Sequence, residues 1–277
     1  MIRLIASDMD RTLLDENARI PEETYGLIRE LRKVGVHFCV CSGRPTNFLL
    51  DLWQEALGEI DIVCSNGSQV FVDGELVSHT PYPRADVERL ARVLERYDDL
   101  HADMYAADGR DYGLDVPGSA KAQRFLDHFA WIPGTVVGMP AEDVDITAGA
   151  IVSEDTASDM RAPAASLAEE LGDAFQFLPL GTNVMDVVPR GISKATGLQQ
   201  VMDIHGVTRD EVAGYGDSMN DIDFLRHVGH PVAVSNAFPE VKAIAERIIE
   251  SNVEHGVQRD MARILGEWRS LAEGGTA

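Results

Sequence analysis

The run Ile2-Arg-Leu-Ile-Ala6 is apolar, short, and stops at Asp8-Met-Asp10, and this pattern recurs along the chain. Val36-His-Phe-Cys-Val-Cys41 stops at Ser42-Gly-Arg44, and Glu211-Val-Ala-Gly-Tyr215 stops at Gly216-Asp-Ser-Met-Asn-Asp221. Runs this short and this apolar suit strands buried on both faces. Between them the apolar period becomes helical: Tyr25, Leu27, Ile28, Leu31 and Val34 mark a helix from about Pro21 to Val34 that Gly35 ends. Further helices are expected over 46–57, 192–205 and 221–228, and strands over 61–64 and 231–234. Strands that alternate with helices and carry polar residues at their carboxyl ends predict an α/β protein: a doubly wound parallel sheet whose ligands bind beyond those ends.

From about Pro81 to Val188 the rhythm loosens, with strands expected near 101–107, 146–153 and 175–178 and helices near 84–97, 119–130 and 156–171. This reads as an inserted α+β domain over 82–188, with residues 1–81 and 189–277 forming the core. A chain of 277 residues is long enough for that division. Glu273 to Ala277 reads as a frayed tail. No apolar run is long enough to cross a bilayer, and the amino terminus lacks a signal peptide, so a cytoplasmic protein is expected. Cys39 and Cys41, two apart in one strand, share a side and suit buried free thiols better than a zinc or redox pair.

The formal charge of −22, from 46 acidic against 24 basic residues, opposes binding to nucleic acid or to an anionic membrane. A small anion would feel the same repulsion, so a site for one must carry its own positive charge. Only four of the basic residues are lysines: Lys33, Lys121, Lys194 and Lys242. Lys194, at the start of a helix, opposes the helix dipole there. It is better explained as a counter-charge for bound phosphate, though a solvated surface lysine remains open.

Two carboxylates, Asp8 and Asp10, meet a loop at one strand end, and Asp217 and Asp221 do so at another. A calcium loop fails on spacing, since Leu13 and Arg19 would occupy its glycine and closing-glutamate positions. Two such clusters at the carboxyl ends of two parallel strands make an oxygen site of the size Mg2+ requires. For Asn220 and Asp221 the plain alternative is helix capping. Ser42 offers a hydroxyl, and Gly43 lets a phosphate approach the backbone, or the pair is an ordinary turn.

Asp8-x-Asp10-x-Thr12, Ser42-Gly-Arg44, Lys194 and Gly216-Asp217-x-x-Asn220-Asp221, in this order, resemble the four motifs of the haloacid-dehalogenase-like phosphatases, in the Cof-like subgroup whose cap lies between the second and third motifs. Ser65-Asn-Gly67, Ser235-Asn-Ala237 with Glu240-Val-Lys242, and Ser251-Asn-x-x-x-Gly256 add to the likeness. The resemblance implies a Mg2+-dependent phosphatase acting on a small phosphorylated metabolite, such as a sugar phosphate or a phosphorylated cofactor. Asp8 would be the nucleophile and Asp10 the acid and base. Mg2+ would be held by Asp8, the Asp10 carbonyl and Asp217, with Asp221 in support. Phosphate would bind Ser42, the backbone of Met9 and Gly43, Asn220 and Lys194, with Thr12 orienting the Asp10 carboxyl. The nucleophile must be ionised, and Lys194 with the metal is expected to hold its pKa low.

Arg11 stands where that family usually has glycine, and its side chain is expected to point outward. The inserted segment is expected to act as a lid that selects substrate, with Tyr105, Arg124, His128, Trp131 and Asn183 as candidate contacts or structural residues. A phosphosugar mutase and a non-catalytic phosphometabolite sensor are the competing readings. A receiver-type phosphoacceptor suits the length less well. The oligomeric state is not legible.

Overall fold

A computed structural model describes residues 1–107, 109–128, 135–180 and 182–274, apart from the side chains of His128, Glu273 and Gly274. The chain opens with β1 (Leu4–Ser7), α1 (Glu23–Lys33), β2 (His37–Cys41), α2 (Thr46–Leu52), β3 (Asp61–Cys64), β4 (Gln69–Val72) and β5 (Glu75–His79). Next come α3 (Arg84–Leu94), β6 (Leu100–Ala106), β7 (Asp111–Gly113), α4 (Ala120–His128), β8 (Val136–Val137), β9 (Ile146–Ser153), α5 (Arg161–Leu171), β10 (Phe175–Pro179) and β11 (Val184–Pro189). It closes with α6 (Lys194–His205), β12 (Val212–Gly216), α7 (Ile222–His227), β13 (His230–Val234), α8 (Pro239–Lys242), β14 (Arg247–Ile249) and α9 (Gly256–Gly274). Two compact units result. One contains Met1–Ser42, Leu49–Ser78 and Ser193–Ala277, and the other contains Gly43–Phe48 and His79–Ile192.

In the first unit eight strands form one sheet in the order β14-β13-β12-β1-β2-β3-β4-β5. From β14 to β3 every pair is parallel, and β4 returns antiparallel to β3. The chain winds outward from β1 through β2 and β3, then resumes on the other side of β1 with β12 and β13. The switch in winding therefore falls between β1 and β12, where an open α/β sheet leaves its crevice. In register, Ser7 lies opposite Tyr215, and the Asp8 N–H extends the ladder to the Tyr215 carbonyl at 2.9 Å. Asp8 and Asp217 are thus delivered side by side at the carboxyl ends of adjacent strands.

Local chemistry explains where the elements differ from the sequence expectation. Asp73 and Gly74 both adopt positive φ (49° and 83°), the geometry of a two-residue hairpin turn, and they join β4 to β5, a pair the sequence reading leaves out. Asp-Gly is a strong signal for that turn. Helix α5 starts at Arg161 rather than near 156, because Pro163 lacks an N–H and is accommodated only in a first turn. Helix α2 ends at Leu52 rather than 57, and a short 3-10 turn occupies Leu57–Glu59. The closing helix α9 also escaped the sequence reading, although Val257, Met261, Ile264 and Leu265 line its buried side.

The second unit is a six-stranded sheet in the order β10-β11-β9-β6-β7-β8, antiparallel except for β7 with β8. Val87, Leu90 and Leu94 of α3 and Ala164, Leu167 and Leu171 of α5 share a core with Leu100, Ala102 and Met104 of β6. Phe125 of α4 packs over Gly113, where a Cβ would lie only 2.3 Å from the ring.

Asp260 fastens α9 to the sheet. Its carboxylate accepts from the Tyr215 hydroxyl (2.7 Å), both Arg247 Nη atoms (2.9 and 2.8 Å) and Arg263 Nε (2.6 Å). Burial pushes this carboxyl up, but the bonds from Arg247, Arg263 and Tyr215 outweigh burial and hold it well below the usual range. The unfolded chain takes up the proton near pH 4, so this contribution is complete above that pH and lost as pH falls toward the folded value. Asp260→Ala should cost about 3 kcal/mol at pH 7, because it strands a buried hydroxyl and a guanidinium. Urea unfolding at pH 7 and pH 3 checks this: the gap from wild type should be narrower at pH 3 by about 1 kcal/mol and should close further at lower pH.

Candidate active site

Helix α6 sets the first functional group. Ser193 caps it through reciprocal bonds with Thr196. Gly197, one turn in, lies so close to the sheet that a Cβ would meet Val63 at 2.5 Å and Gly67 at 3.1 Å. This close packing brings Lys194 inside, where it is 2% exposed. Its ammonium donates to Asp8 Oδ1 at 2.6 Å and to Asp221 Oδ1 at 2.7 Å.

Asp221 is held from the other side. Its Oδ2 accepts the backbone N–H groups of Asp217 (3.0 Å) and Ser218 (2.9 Å), so both of its oxygens have protein donors. Gly216 makes the fit possible, since a Cβ there would lie 2.7 Å from that of Asp221. Gly216→Ala should therefore dislodge Asp221, leave Lys194 half-neutralised, and cost about 2–4 kcal/mol with loss of activity. Thermal melting beside a phosphatase assay tests it.

Asp217 is almost fully buried. Thr12, itself buried, donates to its Oδ1 at 3.3 Å, so the threonine positions this carboxylate, where the sequence reading gave it Asp10. Oδ2 of Asp217 has no hydrogen-bond partner among the described residues; only Arg11 Nε approaches it, at 3.4 Å. Burial, then Asp221, pushes the Asp217 carboxyl up to about 6, against the pull of Arg11. Asp8 is likewise raised well above the usual range, by burial first and Asp221 second, with Lys194 opposing. Lys194 thus pulls in the expected direction, and a bound metal would add to that pull. For Lys194, burial acts downward, but Asp221 and Asp8 reverse it and leave the ammonium above its ordinary range.

One ammonium thus faces three buried carboxylates, those of Asp8, Asp217 and Asp221, whose oxygens lie within 4.8 Å of one another. With Lys194 and the exposed Arg11 counted against the three carboxylates, one negative charge remains in surplus, together with an oxygen that lacks a hydrogen bond, which suits a divalent cation bound by hard oxygen ligands. Another group, His37, Asp61 and His205, has the same spacing. Its imidazoles are stacked 3.6 Å apart at 23°, so their in-plane lone pairs run side by side instead of converging. His205 Nε2 already bonds Asp61 Oδ2 at 2.8 Å, which makes this group a structural link.

The other predicted residues are placed as follows. Asp10 is exposed in the turn after β1. The Met9 side chain is in the core, and its carbonyl accepts the N–H groups of Thr12, Leu13 and Leu14. Ser42 is buried at the end of β2, where its carbonyl accepts from Asn66 N–H at 3.0 Å. Asn66 belongs to Ser65-Asn-Gly67, three consecutive residues with positive φ. Gly43 begins the short segment that clusters with the second unit. Asn220 is half-buried in the 3-10 turn Met219–Asp221.

Arg11 does not simply point outward. Its Nη2 donates to the Asn236 carbonyl (3.2 Å), its guanidinium lies 5.5 Å from the Phe238 ring centre, and its own carbonyl accepts from Asn236 Nδ2 at 2.7 Å. The sequence reading overlooks Phe238, which carries no motif signal beyond following Ser235-Asn-Ala237.

In the second unit, Arg124 pairs with Asp98 (3.1 Å) and Glu154 (2.6 Å), and Asn183 Nδ2 bonds the Ser153 carbonyl at 2.7 Å, so both have internal roles. Trp131 and the His128 side chain lie outside the described residues. Tyr105 shares a sheet face with Asp103, Asp111 and Asp186, carboxylates the sequence reading did not single out. Asp103 is 3% exposed, its Oδ1 lacks a hydrogen-bond partner among the described residues, and burial followed by Asp111 raises it to about 8. The folded carboxyl then keeps its proton to about pH 8 while the unfolded one releases it near 4, so stability falls as pH rises between these values. Asp103→Asn should remove that slope. Relative to wild type it should gain about 2–4 kcal/mol on going from pH 5 to pH 8, measured by denaturant unfolding.

A doubly wound sheet with three carboxylates and a buried ammonium at its switch point defines the class: an α/β protein with its polar cluster beyond the carboxyl ends of parallel strands. The chain belongs to the haloacid dehalogenase-like hydrolase family, whose model matches residues 5–261. It is 30% identical over 275 residues to the 5-amino-6-(5-phospho-D-ribitylamino)uracil phosphatase YitU of Bacillus subtilis, covering 97% of this chain and 98% of that one. It is 27% identical to the Escherichia coli phosphatase of the same name, YbjI, covering 95% and 96%. Among solved structures, SMU.1108c from Streptococcus mutans superposes with a TM-score of 0.80 at 20% identity, covering 96% of this chain and all of that one, which shows the shared fold. Among the described residues no helix is long and apolar enough to cross a membrane.

Proposed function

We propose that this chain is a Mg2+-dependent phosphatase that hydrolyses a small phosphorylated metabolite through a phosphoryl group carried on Asp8. The observation that carries this reading is the buried cluster of Asp8, Asp217 and Asp221, in which Lys194 bonds Asp8 and Asp221 and negative charge stays in surplus beside an Asp217 oxygen without a hydrogen-bond partner among the described residues. Asp8 and Asp217 are the carboxylates that would hold Mg2+, with the Asp10 carbonyl, and Asp221 supports them by fixing Lys194 and the Asp217 backbone. When bound, the ion would neutralise the surplus charge and draw off charge from the phosphoryl oxygens.

Asp8 attacks phosphorus while its carboxylate is fixed through Oδ1 by Lys194. The phosphorus–oxygen ester bond breaks, and Asp10 gives its proton to the departing alkoxide. Asp10, now a base, takes a proton from water, which attacks the same phosphorus. The bond to Asp8 breaks, inorganic phosphate leaves, and both aspartates return to their starting states. Lys194 also faces the equatorial oxygens, with Ser42, Asn220 and the backbone of Met9 and Gly43 as further donors. Both curated relatives are named for a phosphoribityl-aminouracil, so a phosphorylated polyol joined to a heterocycle is the first substrate class to try.

Phosphate release from p-nitrophenyl phosphate and a panel of sugar, polyol and cofactor phosphates, with Mg2+ or with EDTA, tests the reading. Release should require the metal. Asp8→Asn should lower it at least about a thousandfold and Asp10→Asn about a hundredfold or more, without unfolding either protein. Near-wild-type turnover by folded Asp8→Asn would sink the mechanism.

A further inference from the structure

We propose that Arg11 acts as a built-in rival to the divalent cation at Asp217, and so sets how tightly the site holds its metal. This rests on the metal reading above. Arg11 has φ of 60°, a left-handed conformation that disfavours a side chain and that glycine adopts freely. Its surroundings hold it there. Asn236 clasps it at both ends, accepting from Nη2 and donating to its carbonyl, while Phe238 flanks the guanidinium. The same loop is secured elsewhere: Asn236 Oδ1 accepts from Asn252 N–H at 3.2 Å, and Asn252 Nδ2 donates to the Leu14 carbonyl at 2.8 Å. Phe238 N–H donates to the Asp217 carbonyl at 2.9 Å, so the ring beside Arg11 is bonded to the backbone of the residue that Arg11 faces.

Of the Asp217 oxygens, Oδ1 accepts from Thr12, and Oδ2 has Arg11 as its close cation among the described residues, at 3.4 Å. A cation entering at Oδ2 must share it with, or displace, a guanidinium that does not lose its charge in proteins. Like charges this close repel. The repulsion is moderated by solvent, because the Arg11 side chain is 57% exposed, and it shrinks as salt rises.

The test is isothermal titration of Mg2+, and separately of Mn2+, into substrate-free protein, comparing wild type with Arg11→Gly, Arg11→Gln and Asp217→Asn. Arg11→Gln removes the charge but keeps a side chain at positive φ, so it separates electrostatics from backbone relief. Arg11→Gly and Arg11→Gln should both bind about tenfold more tightly than wild type, and the gap should narrow in high salt. Asp217→Asn should abolish binding. Affinity unchanged or weakened in both Arg11 variants, with melting temperatures confirming that they fold, overturns the inference and leaves the metal reading standing. Tighter binding by Arg11→Gly alone assigns the effect to the backbone and also overturns it. No divalent binding by wild type or by either Arg11 variant takes down the metal reading itself, and this inference with it.

Discussion

The bridge from Lys194 to Asp8 and Asp221 is the interaction on which the rest of the site depends. An ammonium removed from water is costly unless its partners are close and well aimed, and here two carboxylates lie within 2.7 Å of it. The demands of that bridge reach into the surrounding backbone. Gly197 lets α6 approach β3 closely enough to bury the lysine, and Gly216 leaves space for Asp221. The Asp217 and Ser218 N–H groups hold the far side of Asp221, so the ammonium is fixed between two segments of chain that lie more than two hundred residues apart.

The same bridge is incomplete by design of its charges. Lys194 compensates one carboxylate's worth of charge out of three, and burial raises both Asp8 and Asp217 above their ordinary range. A site in that condition has use for a further cation, and a chain carrying a formal charge of −22 has no surplus of positive side chains to supply one. Among the described residues Arg11 is the cation that approaches Asp217 Oδ2, and Asn236 and Phe238 hold it there. Local positive charge on a strongly acidic chain is thus gathered beside these carboxylates.

Much of this was legible in the sequence, for physical reasons that vary from residue to residue. Strands buried on both faces leave short, uninterrupted apolar runs, so β2, β3 and β12 are legible in the sequence, and the polar residues that end them with them. Lys194 stood out because lysine is scarce here and its place at a helix start is electrostatically awkward. What stayed hidden depends on contacts distant in sequence. Arg11 looks like a surface cation until Asn236, Asp217 and Phe238 are brought to it. Asp103, Asp111 and Asp186 look like ordinary strand acids until register aligns them on one face. The turn at Asp73-Gly74 is legible in the sequence, whereas the Thr12 bond to Asp217 is not, because a hydroxyl's direction is not written in its spacing. The partition of Gly43–Phe48 with the second unit likewise follows from spatial neighbours, such as the bond from Asn47 Nδ2 to the Gly109 carbonyl.

The most direct measurement is to look for the phosphoryl group itself. Asp10→Asn protein, which should transfer to Asp8 but hydrolyse slowly, would be mixed with p-nitrophenyl phosphate and Mg2+, quenched in acid within a fraction of one turnover, digested, and read by mass spectrometry. The account predicts one added phosphoryl group on the peptide that contains Asp8, lost when Asp8 is also replaced by asparagine. Product formed in that turnover with no phosphoryl group on the protein, or with the group on another residue, would contradict it.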